Sequence, residues 1–165
     1  MRPAVVMDTN VAIVANRQAP QASLECVRGC LKTLLHLRAE QRLLIDHAGL
    51  ILNEYRTYLS PTGQPGVGDA FFKWLWNNQA NPQLCQQIHL TPLDEGQRQF
   101  AEFPDDPDLI GFDPSDQKFV AVAIASGEQP PILNASDTDW WVYEETLARH
   151  VQIEFICPEL MVPHA

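Results

Sequence analysis

The stretch that most constrains the fold is Val5-Val6-Met7-Asp8-Thr9-Asn10, close to the start of the chain. Its three apolar residues predict a short buried strand, and Asp8 stands where that strand should end. In open parallel α/β sheets, ligands bind at the edge formed by the carboxyl ends of the strands. An acid followed by Thr and Asn at that edge is a candidate metal or phosphate site. The same residues also suit the start of the helix that normally follows such a strand, so capping explains them equally well at this point.

Helix-like and strand-like stretches alternate along the first half of the chain, which is typical of an α/β domain. Apolar spacing predicts a core-facing helix over residues 24–37, and Leu43-Leu44-Ile45 predicts a second buried strand. A helix is expected from Asp46 to about Leu59. The other expectations are a loop over 60–68, a helix over the aromatic stretch 71–76, a weak strand over 88–90 and a helix over 94–103.

The second half begins with an acidic loop over 104–108, whose prolines and charges oppose regular structure. Asp113-Pro114-Ser115-Asp116 then opens a predicted helix that is apolar nearly all round over 119–125, so this helix should be buried. A strand over 131–133, a helix or turn from 136–139 and an edge strand over 153–156 complete the pattern. No internal repeat is visible, and 165 residues predict a single domain.

Neither a membrane span nor a signal peptide is indicated. No apolar run is long enough to cross a bilayer, and the first predicted strand begins too early to leave room for a signal sequence. A cytoplasmic protein without a membrane partner is therefore expected. The four cysteines contain no CxxC pair and lie in or beside apolar segments, which predicts buried reduced thiols rather than disulfides or a zinc site. They are Cys26, Cys30, Cys85 and Cys157.

The formal net charge of the chain is −10, from 21 acidic and 11 basic residues. This balance argues against a protein that grips nucleic acid through a broad basic face. It does not exclude nucleic acid, because acids that hold metal ions present a less negative field to a substrate than their number suggests.

Glu54 is a carboxylate in an unexpected place. It follows Ile51 by three residues and Leu50 by four, which sets it on or beside the apolar stripe of its predicted helix. A buried unpaired Glu is costly, so it needs a cation, a metal or a position where its head reaches water. The alternative is a Glu at the rim of the core that pairs with Arg56 or another base.

Two further acids stand near predicted strand ends. Capping accounts for Asp116, because Asp113 suits the N-cap, Pro114 the first helical position and Asp116 the third. The apolar helix behind it, however, brings Asp116 to the rim of the sheet beside Asp8. Asp137 follows the strand over 131–133 in the same way, with Ser136 as the alternative cap.

Four segments, in this order, resemble the motifs of PIN-domain nucleases. They are Val6-Met7-Asp8-Thr9-Asn10, Asn53-Glu54-Tyr55, Asp116-Gln117-Lys118-Phe119 and Leu133-Asn134-Ala135-Ser136-Asp137-Thr138-Asp139-Trp140. The fourth departs from the family pattern, because Ala135 stands where a Thr or Ser usually precedes the Asp by two residues. That departure leaves Asp139 as a substitute for Asp137. The resemblance covers roughly residues 4–156 and looks closest to bacterial PIN proteins that are toxin components of type II toxin–antitoxin pairs.

The resemblance implies a PIN-like, Rossmann-like three-layer α/β/α sandwich with a mainly parallel sheet and an acidic pocket for Mg²⁺ or Mn²⁺. It also implies an endoribonuclease, with RNA as substrate, a cognate antitoxin as partner and a homodimer formed through helices near the aromatic stretch 71–76. Hard divalent cations take oxygen ligands, so converging acids suit them. The expected catalytic and metal-binding acids are Asp8, Glu54, Asp116 and Asp137. Asp8 and Asp116 are the principal ligands, Glu54 and Asp137 complete the shell, and Thr9 or Asn10 orients a carboxylate or the scissile phosphate.

Substrate contacts are assigned to bases near the motifs. Arg17, Arg56 and Lys118 could meet backbone phosphates, and Lys118 is the first to test. Trp140 and Trp141, beside the fourth acid, could stack on unpaired bases, although packing in the core or at an interface explains them as well.

Two rival classes remain open at this stage. One is a catalytically inactive PIN-like module that binds RNA or a protein, for which the Ala135 departure is modest support. The other is a different Asp-based phosphoryl enzyme. A haloacid-dehalogenase-like phosphatase needs a second Asp two residues after Asp8, where this chain has Asn10, and a receiver domain needs adjacent acids there.

Overall fold

The structure is a computed structural model that describes residues 1–161. The predicted domain 1–165 therefore extends four residues beyond the described part. Five strands form one parallel sheet in the order β3-β2-β1-β4-β5. The strands are β1 (Ala4–Met7), β2 (Arg42–Asp46), β3 (Cys85–Ile88), β4 (Pro131–Asn134) and β5 (Gln152–Phe155).

Seven α-helices connect and cover these strands within the described residues. They are α1 (Thr9–Ala15), α2 (Leu24–Glu40), α3 (Leu50–Tyr58), α4 (Val67–Asn78), α5 (Gln117–Ala125), α6 (Thr138–Val142) and α7 (Glu144–Leu147). Short 3₁₀ turns lie at Pro107–Leu109, Pro114–Asp116 and Pro158–Leu160. This helix-flanked parallel sheet is the arrangement of a Rossmann-like sandwich and confirms the predicted α/β class.

β1 lies at the centre of the sheet, and the chain order reverses beside it. β2 and β3 follow outward on one side, whereas β4 and β5 lie on the other. Parallel pairing aligns Met7 with Leu133, and the backbone N–H of Asp8 donates to the Leu133 carbonyl at 2.9 Å. In open α/β sheets the reversal point opens a crevice at the carboxyl ends of the two central strands. The residues that follow β1 and β4 line such a position.

α5 is the helix that the sequence predicts to be buried, and it is. Every residue from Gln117 to Ala123 is buried, and the helix packs on β1, β2 and β4. β2 is also buried along its whole length. Because helices cover both faces of the central strands, the sequence of β2 is a continuous apolar run and does not alternate between apolar and polar residues.

The predicted helix over 94–103 is wrong. These residues form turns, closed by an isolated antiparallel bridge between Pro92 and Phe100. The side chain of buried Gln117 accepts from the Gln99 N–H and donates to the Gln97 carbonyl, both at 2.9 Å. Because a tertiary partner satisfies this backbone, the segment has no need of helical hydrogen bonds.

Smaller boundary errors have local causes. β3 ends at Ile88 instead of spanning 88–90, and α4 begins at Val67, inside the predicted loop over 60–68. The helix expected directly after Asp46 begins at Leu50, because the Asp46 carboxylate accepts from the N–H groups at positions 50 and 51. The edge strand is Gln152–Phe155, one residue earlier than expected.

The prediction that all four cysteines are reduced thiols is wrong for two of them. Cys26 on α2 and Cys157 after β5 form a disulfide across 131 residues of sequence. Cys30 and Cys85 remain buried thiols, and burial raises the pKa of each to about 12. Such long-range pairing leaves no mark in local spacing, which is why the sequence did not indicate it. Within residues 1–161, no helix combines the length and apolar character that a bilayer span requires.

Candidate metal centre

Three of the four predicted acids converge at the carboxyl edge of the sheet. Asp8 follows β1, Asp116 ends the 3₁₀ turn before α5, and Asp137 precedes α6 just after β4. One carboxylate oxygen from each lies within 4.8 Å of the others. These residues are called the acidic triad below. The reversal of strand order beside β1 explains why residues 108 and 129 positions from Asp8 meet it there.

Burial and mutual repulsion disfavour the charged forms of the triad. Asp8 is only 5% exposed, and burial raises its pKa well above the usual range, with Asp116 as the next cause. Burial, followed by the charge of Asp137, raises the pKa of Asp116 to about 7. The pKa of Asp137 is also raised, first by burial. Three crowded carboxylates of this kind are costly without a cation.

Asp8 has one oxygen free for a ligand. Its Oδ1 accepts from the backbone N–H of Asn10 at 2.9 Å, which is an N-cap contact for α1. Its Oδ2 is buried and has no hydrogen-bond partner within the described chain. The sequence left both capping and ligand binding open for Asp8. Because capping uses only Oδ1, the two roles are compatible, and Oδ2 remains for a ligand. An orphaned buried oxygen among carboxylates fits a hard cation such as Mg²⁺ or Mn²⁺.

Asn134, which sequence reasoning missed as a site residue, ties the end of β4 to α1. Its Oδ1 accepts from Asn10 Nδ2 at 3.2 Å and from the backbone N–H of Asp137 at 2.9 Å. Asn10 Oδ1 in turn accepts from the backbone N–H of Ala135 at 3.0 Å. Asn134 thus holds the Asp137 backbone although Ala135 supplies no hydroxyl. A polar residue directly after the buried apolar residues Ile132 and Leu133 was the available signal.

The structure separates the two candidates for the fourth acid. Asp137 belongs to the triad with Asp8, whereas Asp139 lies with Asp113 and Asp116 in a second group whose carboxylate oxygens also approach within 4.8 Å. Asp139 Oδ2 accepts from the Asp113 N–H at 3.3 Å, and Asp113 itself accepts from the Ser115 N–H at 2.9 Å. The second group is thus partly occupied by local hydrogen bonds.

Glu54 lies beside the triad without belonging to it. Its Oε1 accepts from Lys118 Nζ at 2.8 Å, and its Oε2 accepts a short hydrogen bond from the Thr9 hydroxyl. Lys118 Nζ also donates a short hydrogen bond to the Ser115 carbonyl. The base that pairs with Glu54 is therefore Lys118 and not Arg56, which lies over the Trp76 ring at 5.3 Å.

The remaining predicted substrate contacts lie outside this network. Arg17 is exposed in the loop after α1, where it has a positive φ of 61°. Trp140 is fully buried and packs edge-on against Phe112, so it has no face for a base. The Trp141 ring packs edge-on against Phe155, at a centroid distance of 5.4 Å.

The acidic triad could hold a hard divalent cation. Its donors are carboxylate oxygens, which suit Mg²⁺ or Mn²⁺ and not a soft metal. Comparisons of the chain with protein-family models, with curated proteins and with solved structures find no match.

Proposed function

We propose that this chain is a Mg²⁺- or Mn²⁺-dependent endoribonuclease that hydrolyses RNA phosphodiester bonds. The observation that supports this most is the acidic triad, in which carboxylate oxygens of Asp8, Asp116 and Asp137 lie within 4.8 Å of one another and the buried Oδ2 of Asp8 has no partner in the described chain. Acids with raised pKa values at a strand-order reversal are a recognised sign of a functional site. Carboxylates alone supply the ligands that a metal-dependent phosphodiester hydrolase needs.

The chain's own residues would divide the work as follows. Asp8 and Asp116 hold the cation, Asp137 completes its shell directly or through water, and the Asn10 N–H fixes the rotamer of Asp8 through Oδ1. When bound, a divalent cation supplies activation of water and neutralisation of the charge that develops on the phosphate. Asn134 keeps Asp137 in place through its backbone N–H.

The experiment is cleavage of a mixed RNA pool by wild type and Asp116→Asn, each with Mn²⁺ and with a chelator. Wild type should cut only with Mn²⁺, and the variant should lose roughly 100-fold or more of that activity, because one of the principal charged ligands is gone. Asp46→Asn is the matched control, since Asp46 is an equally buried acid that binds backbone N–H groups outside the triad.

Two results would contradict the proposal. One is undiminished Mn²⁺-dependent cleavage by folded Asp116→Asn. The other is wild type that neither cuts any RNA in the pool nor binds Mn²⁺. The control variant tests whether replacing any buried acid lowers activity. Asp46→Asn should keep its cleavage if the loss in Asp116→Asn arises at the metal site.

The PIN-like refinement of the fold and the toxin role are part of this proposal. The parallel sheet and the placement of Asp8, Asp116 and Asp137 at one edge support the PIN-like identity. A cognate antitoxin, a homodimer through the α4 region and a cytoplasmic location rest on the resemblance and the sequence. The toxin role is tested by growth arrest on expression, which Asp116→Asn should abolish.

A non-catalytic PIN-like module that binds RNA or protein is the second candidate. Ala135 favours it, because this buried position lacks the hydroxyl that the resembled family carries near its fourth acid. This candidate predicts RNA or protein binding that is unchanged by a chelator and by Asp116→Asn.

A further inference from the structure

Lys118 is a buried base held between two elements of the candidate site. Its side chain is 10% exposed, and its Nζ bonds Glu54 of α3 and the carbonyl of Ser115 in the turn before α5. Substrate phosphates arrive from solvent, so a buried ammonium that already has two acceptors is poorly placed to meet them. Its position instead joins α3 to the chain that carries Asp116.

The carboxylate of Glu54 is likewise already occupied by hydrogen bonds. Both of its carboxylate oxygens accept hydrogen bonds, one from Lys118 and one from the Thr9 hydroxyl. An ammonium and a hydroxyl together supply the counter-charge and donors that a partly buried carboxylate requires. Glu54 therefore needs no metal to explain its position, in contrast to Asp8, whose Oδ2 has no partner in the described chain.

The contacts of this network fall directly beside two triad residues. Thr9 follows Asp8 in the chain, and Ser115 precedes Asp116. The path Thr9–Glu54–Lys118–Ser115 thus connects the start of α1 with the start of α5 through hydrogen bonds alone. A link of this kind fixes how far apart the two backbones stand, and so sets the distance between the two carboxylates that they carry.

We propose that Lys118, Glu54 and Thr9 are positioning residues that hold Asp8 and Asp116 in metal-binding geometry, and that Glu54 is not a metal ligand. The inference rests on the proposed function and deepens it. Lys118 sets the metal geometry and makes no contact with the substrate.

Mn²⁺ binding, measured by calorimetry, tests the role of Glu54. Asp116→Asn should weaken Mn²⁺ affinity by roughly 10-fold or more, as expected for a lost ligand. The double variant Glu54→Gln with Lys118→Met loosens the spacing of Asp8 and Asp116 without removing a ligand, so it should weaken Mn²⁺ affinity by no more than roughly 3-fold. This double variant also serves where Lys118→Met alone fails to fold because it leaves the partly buried Glu54 without its positive partner.

RNA cleavage kinetics test the role of Lys118. A positioning residue acts on the reacting geometry, so Lys118→Met should lower kcat by roughly 10- to 100-fold with KM for RNA unchanged. Lys118→Arg, which keeps the charge and donors, should restore part of kcat. Lys32→Met is the matched control, because it removes one exposed positive charge elsewhere.

The results that would contradict this inference differ from those that would contradict the proposed function. A loss of Mn²⁺ affinity in the double variant as large as that in Asp116→Asn would show that Glu54 is a ligand. A higher KM, with unchanged kcat and a salt dependence weaker by about one charge, would show that Lys118 contacts phosphate. Either result overturns this inference while wild-type Mn²⁺ binding upholds the proposed function. Wild type that binds no Mn²⁺ overturns both.

Discussion

Asp116 shows most directly how burial and charge act on single residues of this site. It caps no hydrogen bond of α5 through its side chain, although the sequence explains it fully as a capping residue. Burial and the neighbouring carboxylates raise its pKa to about 7, while Lys118 opposes that rise. The fold thus buries an acid whose charged form is energetically unfavourable, which is typical of residues at functional sites.

Without metal, the stability of the protein should fall as the pH rises toward 7. An unfolded Asp loses its proton near pH 3.9, whereas folded Asp116 holds it to about 7. Between these values the folded chain binds more protons, so each rise in pH favours unfolding, and the loss is complete above about 7. Thermal unfolding in chelator at about pH 5 and about pH 8 measures the difference. Asp116→Asn should reduce it, and a flat profile in wild type would contradict the pKa assignment.

Asp8→Asn should stabilise the metal-free protein and abolish stabilisation by Mn²⁺. The change removes a buried carboxyl group whose charged form is disfavoured by burial and by the charges of Asp116 and Asp137, and a gain of about 0.5–2 kcal/mol is expected at neutral pH. Urea unfolding with and without Mn²⁺ measures both effects. Asp46→Asn is the control, because it loses one of its two backbone hydrogen bonds, which should cost about 1–3 kcal/mol, and should leave the Mn²⁺ response intact. A destabilised Asp8→Asn would show that Asp8 serves the fold.

Among single residues, the sequence predicted four acids at one site, and the structure brings three of them together without Glu54. Asp8, Asp116 and Asp137 were found because each follows a strand or opens a helix, and such positions are local patterns. The Glu54–Lys118 pair joins residues 64 positions apart, on helices whose relative rotation no local pattern states. Asn134 was missed because its partner Asn10 is 124 residues away.

At the scale of elements, α4 is held by close backbone approach and by one buried acid. Asp69 accepts from the backbone N–H groups of Ser60 and Gly66 and from Asn16 Nδ2, which joins α4 to the loop before it and to the end of α1. Gly68 lies so near α1 that a Cβ there would stand 2.3 Å from the Ala12 carbonyl oxygen. The sequence predicted the aromatic helix but gave no sign of this crossing.

Gly68→Ala should therefore destabilise the protein by about 1–3 kcal/mol, although alanine is normally the better helix former. The added methyl meets backbone, which can move only if α1 and α4 separate. Urea unfolding measures the change. Asn77→Ala on the exposed side of the same helix should stay within about 0.5 kcal/mol. Equal stability of Gly68→Ala and wild type would contradict the close packing.

For the whole molecule, the alternation of apolar runs with helical patterns predicted the α/β class. It did not predict the order of the strands in the sheet. Apolar runs show which segments are buried strands, but each run suits several neighbours equally. The segment 94–103 shows the same limit, because Gln117 from a distant helix decides its conformation. The disulfide is a third case, fixed only once α2 and the segment after β5 lie side by side.

Reduction of the Cys26–Cys157 disulfide should lower the free energy of unfolding by about 2–5 kcal/mol, because the bond closes a long loop in the unfolded chain. Urea unfolding with and without reductant measures this difference. The variant Cys26→Ser with Cys157→Ser should be insensitive to reductant and match the reduced wild type. Identical curves for wild type in both conditions would contradict a closed disulfide.

The central place of β1 has a consequence for synthesis of the chain. Asp8 precedes its two triad partners, Asp116 and Asp137, by 108 and 129 residues. Until β4 has been translated and has paired with β1, a growing chain carries isolated carboxylates with little affinity for a cation. Affinity for a cation should thus arise only once β4 has paired with β1 and has brought Asp137 beside Asp8 and Asp116.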